Sequence, residues 1–200
     1  MPAPPVAVQP LPAIELDVPA ASPVPPAPPA AVLPLSVSYI MRPCPSVDTE
    51  MREEMGRLEE RLWTRLKEIG SDAERGEAFE AHFVQMDRTA HIAIVDGMLA
   101  GFAICGPREG RKPYRVFVYE LHVSLGRRGI GKQLVDLCAR NARKGRGGIG
   151  AKVVQLNVHK DQEKLTGNAI EIYKRMGFEI KGDASADAYL MEHEALWCMA

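Results

Sequence analysis

Between residues 114 and 144 the chain passes from a strand-forming segment, through a glycine-bearing turn, directly into an amphipathic helix. No other stretch constrains the fold as much. Tyr114–Val123 is rich in Val, Tyr and Phe, side chains that suit a pleated, half-buried surface. The turn reads Gly126-Arg127-Arg128-Gly129-Ile130-Gly131-Lys132, and the helix, from about Gly131 to Lys144, carries Leu134, Val135, Leu137 and Cys138. A strand that feeds a helix in this way belongs to a layered α/β arrangement. Glycines at 129 and 131 let the backbone come close to a ligand, while the helix start presents unpaired N–H groups and a positive dipole end. The expected ligand is therefore anionic, a pyrophosphate in particular. Two common phosphate loops do not fit. A Walker A loop needs Ser or Thr after its Lys, and Gln133 follows Lys132 here; a dinucleotide fingerprint needs a third glycine and an early place in the fold.

The flanking segments extend this unit. From Asp48, Met51, Met55, Leu58, Leu62, Leu66 and Ile69 recur at three- and four-residue steps, which predicts an amphipathic helix ending at Gly70. A weaker helical stretch is expected over about Ala73–Gln85. His91–Val95 and Met98–Cys105 flank Asp96-Gly97, the dipeptide of a tight hairpin. A polar loop from Gly106 to Pro113 precedes the Tyr114 strand. After the central helix, a strand over Lys152–His159, a helix over about Thr166–Met176, a strand from Phe178 and a last strand within Ala188–Trp197 complete an α/β domain with a mixed sheet.

Fourteen of the 16 prolines fall before residue 46, scattered without period through Ala, Val and Ser. Such a segment favours solvated polyproline II and cannot offset its ordering entropy. Residues 1–45 are therefore expected to be a disordered leader, and 46–200 the folded domain. The leader has no Lys or Arg before Arg42 and no compact apolar run, so neither a transit peptide nor a secretory signal is expected. With 25 basic and 26 acidic residues the formal charge is −1, which provides no global field for nucleic acid or an anionic membrane. Cys44, Cys105, Cys138 and Cys198 are far apart, without C-x-x-C or zinc-type His spacing, and read as reduced thiols in an intracellular protein with no metal.

The turn and the segment that follows it resemble the GNAT (GCN-five-related) N-acetyltransferase superfamily. Gly129-Ile130-Gly131, preceded by Arg128, matches the end of the Gln/Arg-x-x-Gly-x-Gly/Ala signature, and Ala169, Tyr173 and Gly177-Phe178 match the family's later motif. Gly126 stands where the signature has Gln or Arg, with Arg127 beside it to supply charge, and Thr166 replaces a frequent Asn. The likeness covers about residues 90–181. It implies the GNAT acyl-CoA N-acyltransferase fold, a central splayed sheet flanked by helices, with acetyl-CoA as cofactor. The coenzyme would be held by backbone at Leu121, His122 and Val123 and by Arg127, Arg128, Gly129, Ile130, Gly131 and Lys132.

Glu120, a carboxylate within an otherwise apolar strand near the implied splay, is the candidate general base. By analogy within the family, Tyr173 is the candidate proton donor to the departing thiolate, and Tyr119 is read as shaping the acceptor pocket. His122 and His159 are less persuasive as proton relays than as structural residues at strand ends. Val118-Tyr119-Glu120-Leu121 followed by Arg127–Lys132 resembles the NatD branch, which acetylates the α-amine of core-histone tails. That likeness implies a protein N-terminus as partner, a histone tail in particular. An acidic acceptor cleft would favour such a tail, and Glu53, Glu54, Glu59 and Glu60 fit either that cleft or a solvated helix face equally well. A monomer in the cytoplasm or nucleus is expected. A lysine or small-molecule amine acceptor, and a non-catalytic acetyl-CoA-binding module, are the alternatives.

Overall fold

A computed structural model describes residues 36–74, 77–107, 115–124, 129–144 (backbone only from 141), 153–165 and 169–194. Most of the expected leader, together with Gly126, Arg127, Arg128, Thr166 and Cys198, lies outside the described residues.

Seven strands form one sheet: β1 (Val37–Pro43), β2 (Thr89–Val95), β3 (Met98–Gly106), β4 (Arg115–Val123), β5 (Val153–His159), β6 (Glu179–Asp183) and β7 (Ala188–Glu194). Their order is β1-β2-β3-β4-β5-β7-β6. Every neighbouring pair is antiparallel except β4 and β5, which are parallel and joined through the helix α2 (Ile130–Lys144), as a parallel crossover requires. This is the expected mixed α/β sheet flanked by helices. The β2–β3 hairpin closes at Asp96 and Gly97, both at positive φ (51° and 80°), the conformation for which Asp-Gly is selected.

Two expectations are corrected. The sheet starts at Val37, inside the segment read as leader, because Ser36–Arg42 is a proline-free run between Pro34 and Pro43 whose Val, Tyr and Ile pair with β2 from Val37↔Val95 to Pro43↔Thr89. The helix expected over Ala73–Gln85 reduces, among the described residues, to a 3-10 segment at Phe79–Val84, with Phe79, His82 and Phe83 turned into the core.

Helix α1 (Thr49–Glu68) begins where Asp48 Oδ1 accepts a hydrogen bond from the Met51 amide at 2.9 Å, a side-chain N-cap. It buries Met55, Leu58, Glu59, Trp63 and Leu66, whereas Ile69 stays 38% exposed beyond its end. Met55 and Leu58 pack with Phe79, Phe83, Phe102 and Ile104 on one face of the sheet. On the other face Leu134, Val135 and Cys138 of α2 pack with Val116, Val118, Val154 and Leu156, and the short helix α3 (Ala169–Arg175) adds Ile170. Among the described residues no helix is long and apolar enough to cross a membrane.

Candidate active site

Two irregularities in the central strands build the site. The parallel β4–β5 ladder runs only from Arg115↔Val153 to Val118↔Leu156. Beyond it, Tyr119–Val123 keeps β3 as its neighbour, and Asn157–His159 keeps β7, so the two strands part. At the same place β4 carries one extra residue: Ile104 lies opposite Glu120 and Cys105 opposite Val118, which leaves Tyr119 as a bulge. The bulge shifts the side-chain alternation by one. Val118 faces the α2 core, whereas Tyr119, Glu120 and His122 all turn toward the α1 face, where the His122 ring lies 5.1 Å from Phe102 and Tyr119 lies 5.6 Å from His82. A cleft of about 350 Å³ opens there, lined by Tyr119, Glu120, Leu121, His122, Tyr173 and His82 among others.

Glu120 is the electrostatic centre. Its Oε2 accepts a 2.7 Å hydrogen bond from His122 Nε2, and its Oε1 lies 3.4 Å from His82 Nε2. Burial alone would raise the carboxyl, but His122 and His82 outweigh it and hold the group at about 2. His82 is 1% exposed and its Nδ1 side meets Arg88, which also bonds Glu77 at 2.7 Å and stacks its guanidinium 3.8 Å from the Tyr119 ring centre. The Tyr119 hydroxyl donates to the Pro107 carbonyl at 2.5 Å, so this residue lines the cleft with its ring rather than with a free hydroxyl.

Tyr173 enters from α3, with its ring 5.7 Å from Phe178. Burial, and then the Glu120 charge, push its hydroxyl well above the ordinary tyrosine range, so it stays protonated. Gly177, at φ 94°, turns the chain out of α3 so that the Phe178 amide bonds back to the Tyr173 carbonyl at 3.0 Å.

The turn into α2 is described from Gly129 onward. Gly129 has φ 71°, and its carbonyl accepts from the Gln133 amide at 3.0 Å, the first turn of a helix whose leading N–H groups have no partner within it. Gly131 is closely packed, since a Cβ there would sit 3.3 Å from Met176 and 3.5 Å from Val123. Ile130 is a core residue at 1% exposure. Lys132 pairs with Asp136 at 3.0 Å one turn along. Leu121 and His122 line the cleft, and Val123 ends β4 beside Gly131. These backbone donors, with the free edge of β4 past Val118, suit a phosphate-bearing chain laid along the parted strands.

Of the acidic residues of α1 named above, only Glu59 lines the cleft. Glu74, Glu77 and Asp187 join it from elements to which no role is assigned by sequence pattern. His159 also lines the cleft, with its ring 5.2 Å from Trp63 and its Nδ1 3.5 Å from Asp187. His82 and Arg88 likewise had no visible motif. Their one local sign is the Phe79-x-x-His82-Phe83 spacing, which predicts an inward face but no partner.

Residues 86–180 match the family model described as an acetyltransferase (GNAT) domain. Solved structures share the fold, among them three acyltransferases. A PaiA N-acetyltransferase from Thermoplasma acidophilum, in complex with coenzyme A, is 17% identical, with TM-score 0.55 over 78% of this chain and 99% of that one. An acyl-CoA N-acyltransferase from Pseudomonas aeruginosa is 15% identical, with TM-score 0.55 over 79% and 99%. The ribosomal-protein-S18-alanine N-acetyltransferase from Escherichia coli is 15% identical, with TM-score 0.50 over 78% and 94%. A search of curated proteins found no match.

Proposed function

We propose that this chain, whose residues 86–180 match the acetyltransferase (GNAT) domain model, moves the acetyl group of acetyl-CoA onto an amine, and that its acceptor is the α-amine of a basic protein N-terminus, as a core-histone tail presents. The observation that carries the acceptor class is the charge of the cleft. Its described lining includes five carboxylates (Glu59, Glu74, Glu77, Glu120, Asp187) and three imidazoles, with no Lys or Arg. Such a wall attracts cationic side chains next to the reacting amine.

The base supports the same choice. A carboxylate held at about 2 is ionised at every working pH but binds a proton weakly. At pH 7, freeing an α-amine of its proton costs about 1 kcal/mol, against about 5 kcal/mol for a lysine side chain. A weak base therefore suits the α-amine, with Glu120 Oε1 orienting it, Oε2 held by the His122 N–H, and the amine's proton leaving to solvent in the open cleft. Acetyl-CoA supplies the activated thioester. Leu121, Val123 and the amides from Gly129 to Lys132 would hold it, and Tyr173 keeps its proton at Oη, the state a donor needs. The test is thiol release from acetyl-CoA with a Ser-Gly-Arg-Gly peptide against N-blocked peptides carrying an internal lysine. The α-amine peptide should show kcat/KM at least about tenfold higher, a difference of about 1.4 kcal/mol. Equal rates, or a preference for lysine, would reject the N-terminal assignment.

A further inference from the structure

On the opposite face of the sheet from Glu120, the core beneath α2 holds a polar cluster that acetyl transfer does not use. His91 of β2, Cys105 of β3 and Cys138 of α2 converge so that one ring nitrogen and the two sulfurs all lie within 4.8 Å of one another. The residues are 1%, 3% and 0% exposed, and both cysteines are free thiols. Neither ring nitrogen of His91 has a hydrogen-bond partner. Buried polar atoms without partners are rare in native cores, and an ion bound to one His91 nitrogen would satisfy it.

We propose that His91, Cys105 and Cys138 form a buried three-coordinate site for one soft monovalent cation, copper(I). Two sulfurs and an imidazole are soft donors, which select copper(I) or zinc over magnesium or calcium. Coordination number then decides between the two. Structural zinc takes four protein ligands, and among the described residues no fourth His, Cys, Asp or Glu joins the group. Copper(I) is satisfied by three. Metal–donor bonds of about 2.0–2.3 Å place donors roughly 3.5–4 Å apart, so from separations of up to 4.8 Å the side chains close by roughly 1 Å to reach the ion. Binding forms two copper–thiolate bonds and one copper–imidazole bond, the thiol protons leave to solvent, and the copper is not oxidised or reduced.

The test uses the full chain, kept reduced with a phosphine under anaerobic conditions and offered copper(I) as its bicinchoninate complex. Native mass spectrometry should show one copper per chain, a pH indicator release of protons on binding, and X-ray absorption a first shell of two sulfurs and one nitrogen. Cys138→Ala should lose retention. The absorption spectrum of the unsubstituted protein decides the matter even where that variant folds poorly. Failure to retain copper, a shell without sulfur, or tighter retention of zinc(II) in a parallel titration would overturn the assignment.

Discussion

Replacing Glu120 by Gln keeps the side-chain shape and an acceptor oxygen for His122 while removing the charge. In the folded chain the carboxyl is brought from an ordinary 4.5 to about 2 against the opposing effect of burial, which corresponds to about 3 kcal/mol of stability. Because the folded value is the lower one, this contribution is fully present above 4.5 and fades as pH falls toward 2. The side chain retains 20% exposure, so solvent screening makes the figure an upper estimate. Urea unfolding followed by circular dichroism at pH 5, 4 and 3 should therefore show the parent more stable than Glu120→Gln by up to about 3 kcal/mol at pH 5, with the gap narrowing at each step down. A gap that did not change with pH would mean that the substitution acts through packing, and the electrostatic account of the Glu120–His122–His82 cluster would be wrong. At neutral pH the same variant should lose about 100-fold or more in kcat while still binding coenzyme.

Tyr173→Phe should lower kcat by about 10–100-fold with little change in coenzyme affinity, since it removes only the buried hydroxyl; an unchanged kcat would exclude the donor role. Gly101→Ala should cost about 1–3 kcal/mol and disturb activity, because its Cβ would fall 2.7 Å from the His122 carbonyl and 3.2 Å from Val123 Cα, forcing β4 away from β3; thermal unfolding measures it. If the carboxylate wall recruits basic tails, KM for an Arg-bearing peptide should rise steeply with salt, whereas KM for a neutral peptide should not.

Local chemistry made much of this molecule legible. Asp96-Gly97 declares its hairpin, Asp48 starts a helix whose apolar positions recur as they should, and the strand–turn–helix around Gly129 states its topology outright. What stayed hidden was set by long-range pairing. The Tyr119 bulge lies in an unbroken run from Arg115 to Val123, and only the register with β3 reveals that Tyr119 and Glu120 turn to one side. His82 meets Glu120 across a wide sequence separation, and nothing near either residue announces the other. Strand β1 was masked by neighbouring prolines, and His91, Cys105 and Cys138 come from three elements with no spacing motif between them. For Arg127 and Arg128 the reading rests on their place in the turn alone.

Isothermal titration of acetyl-CoA into the full chain addresses most directly the claim that the parted strands and the α2 start form a coenzyme cradle. The account predicts saturable heat at one coenzyme per chain, with desulfo-CoA binding comparably because the gripping amides act on phosphate. An absence of heat for both ligands would contradict it.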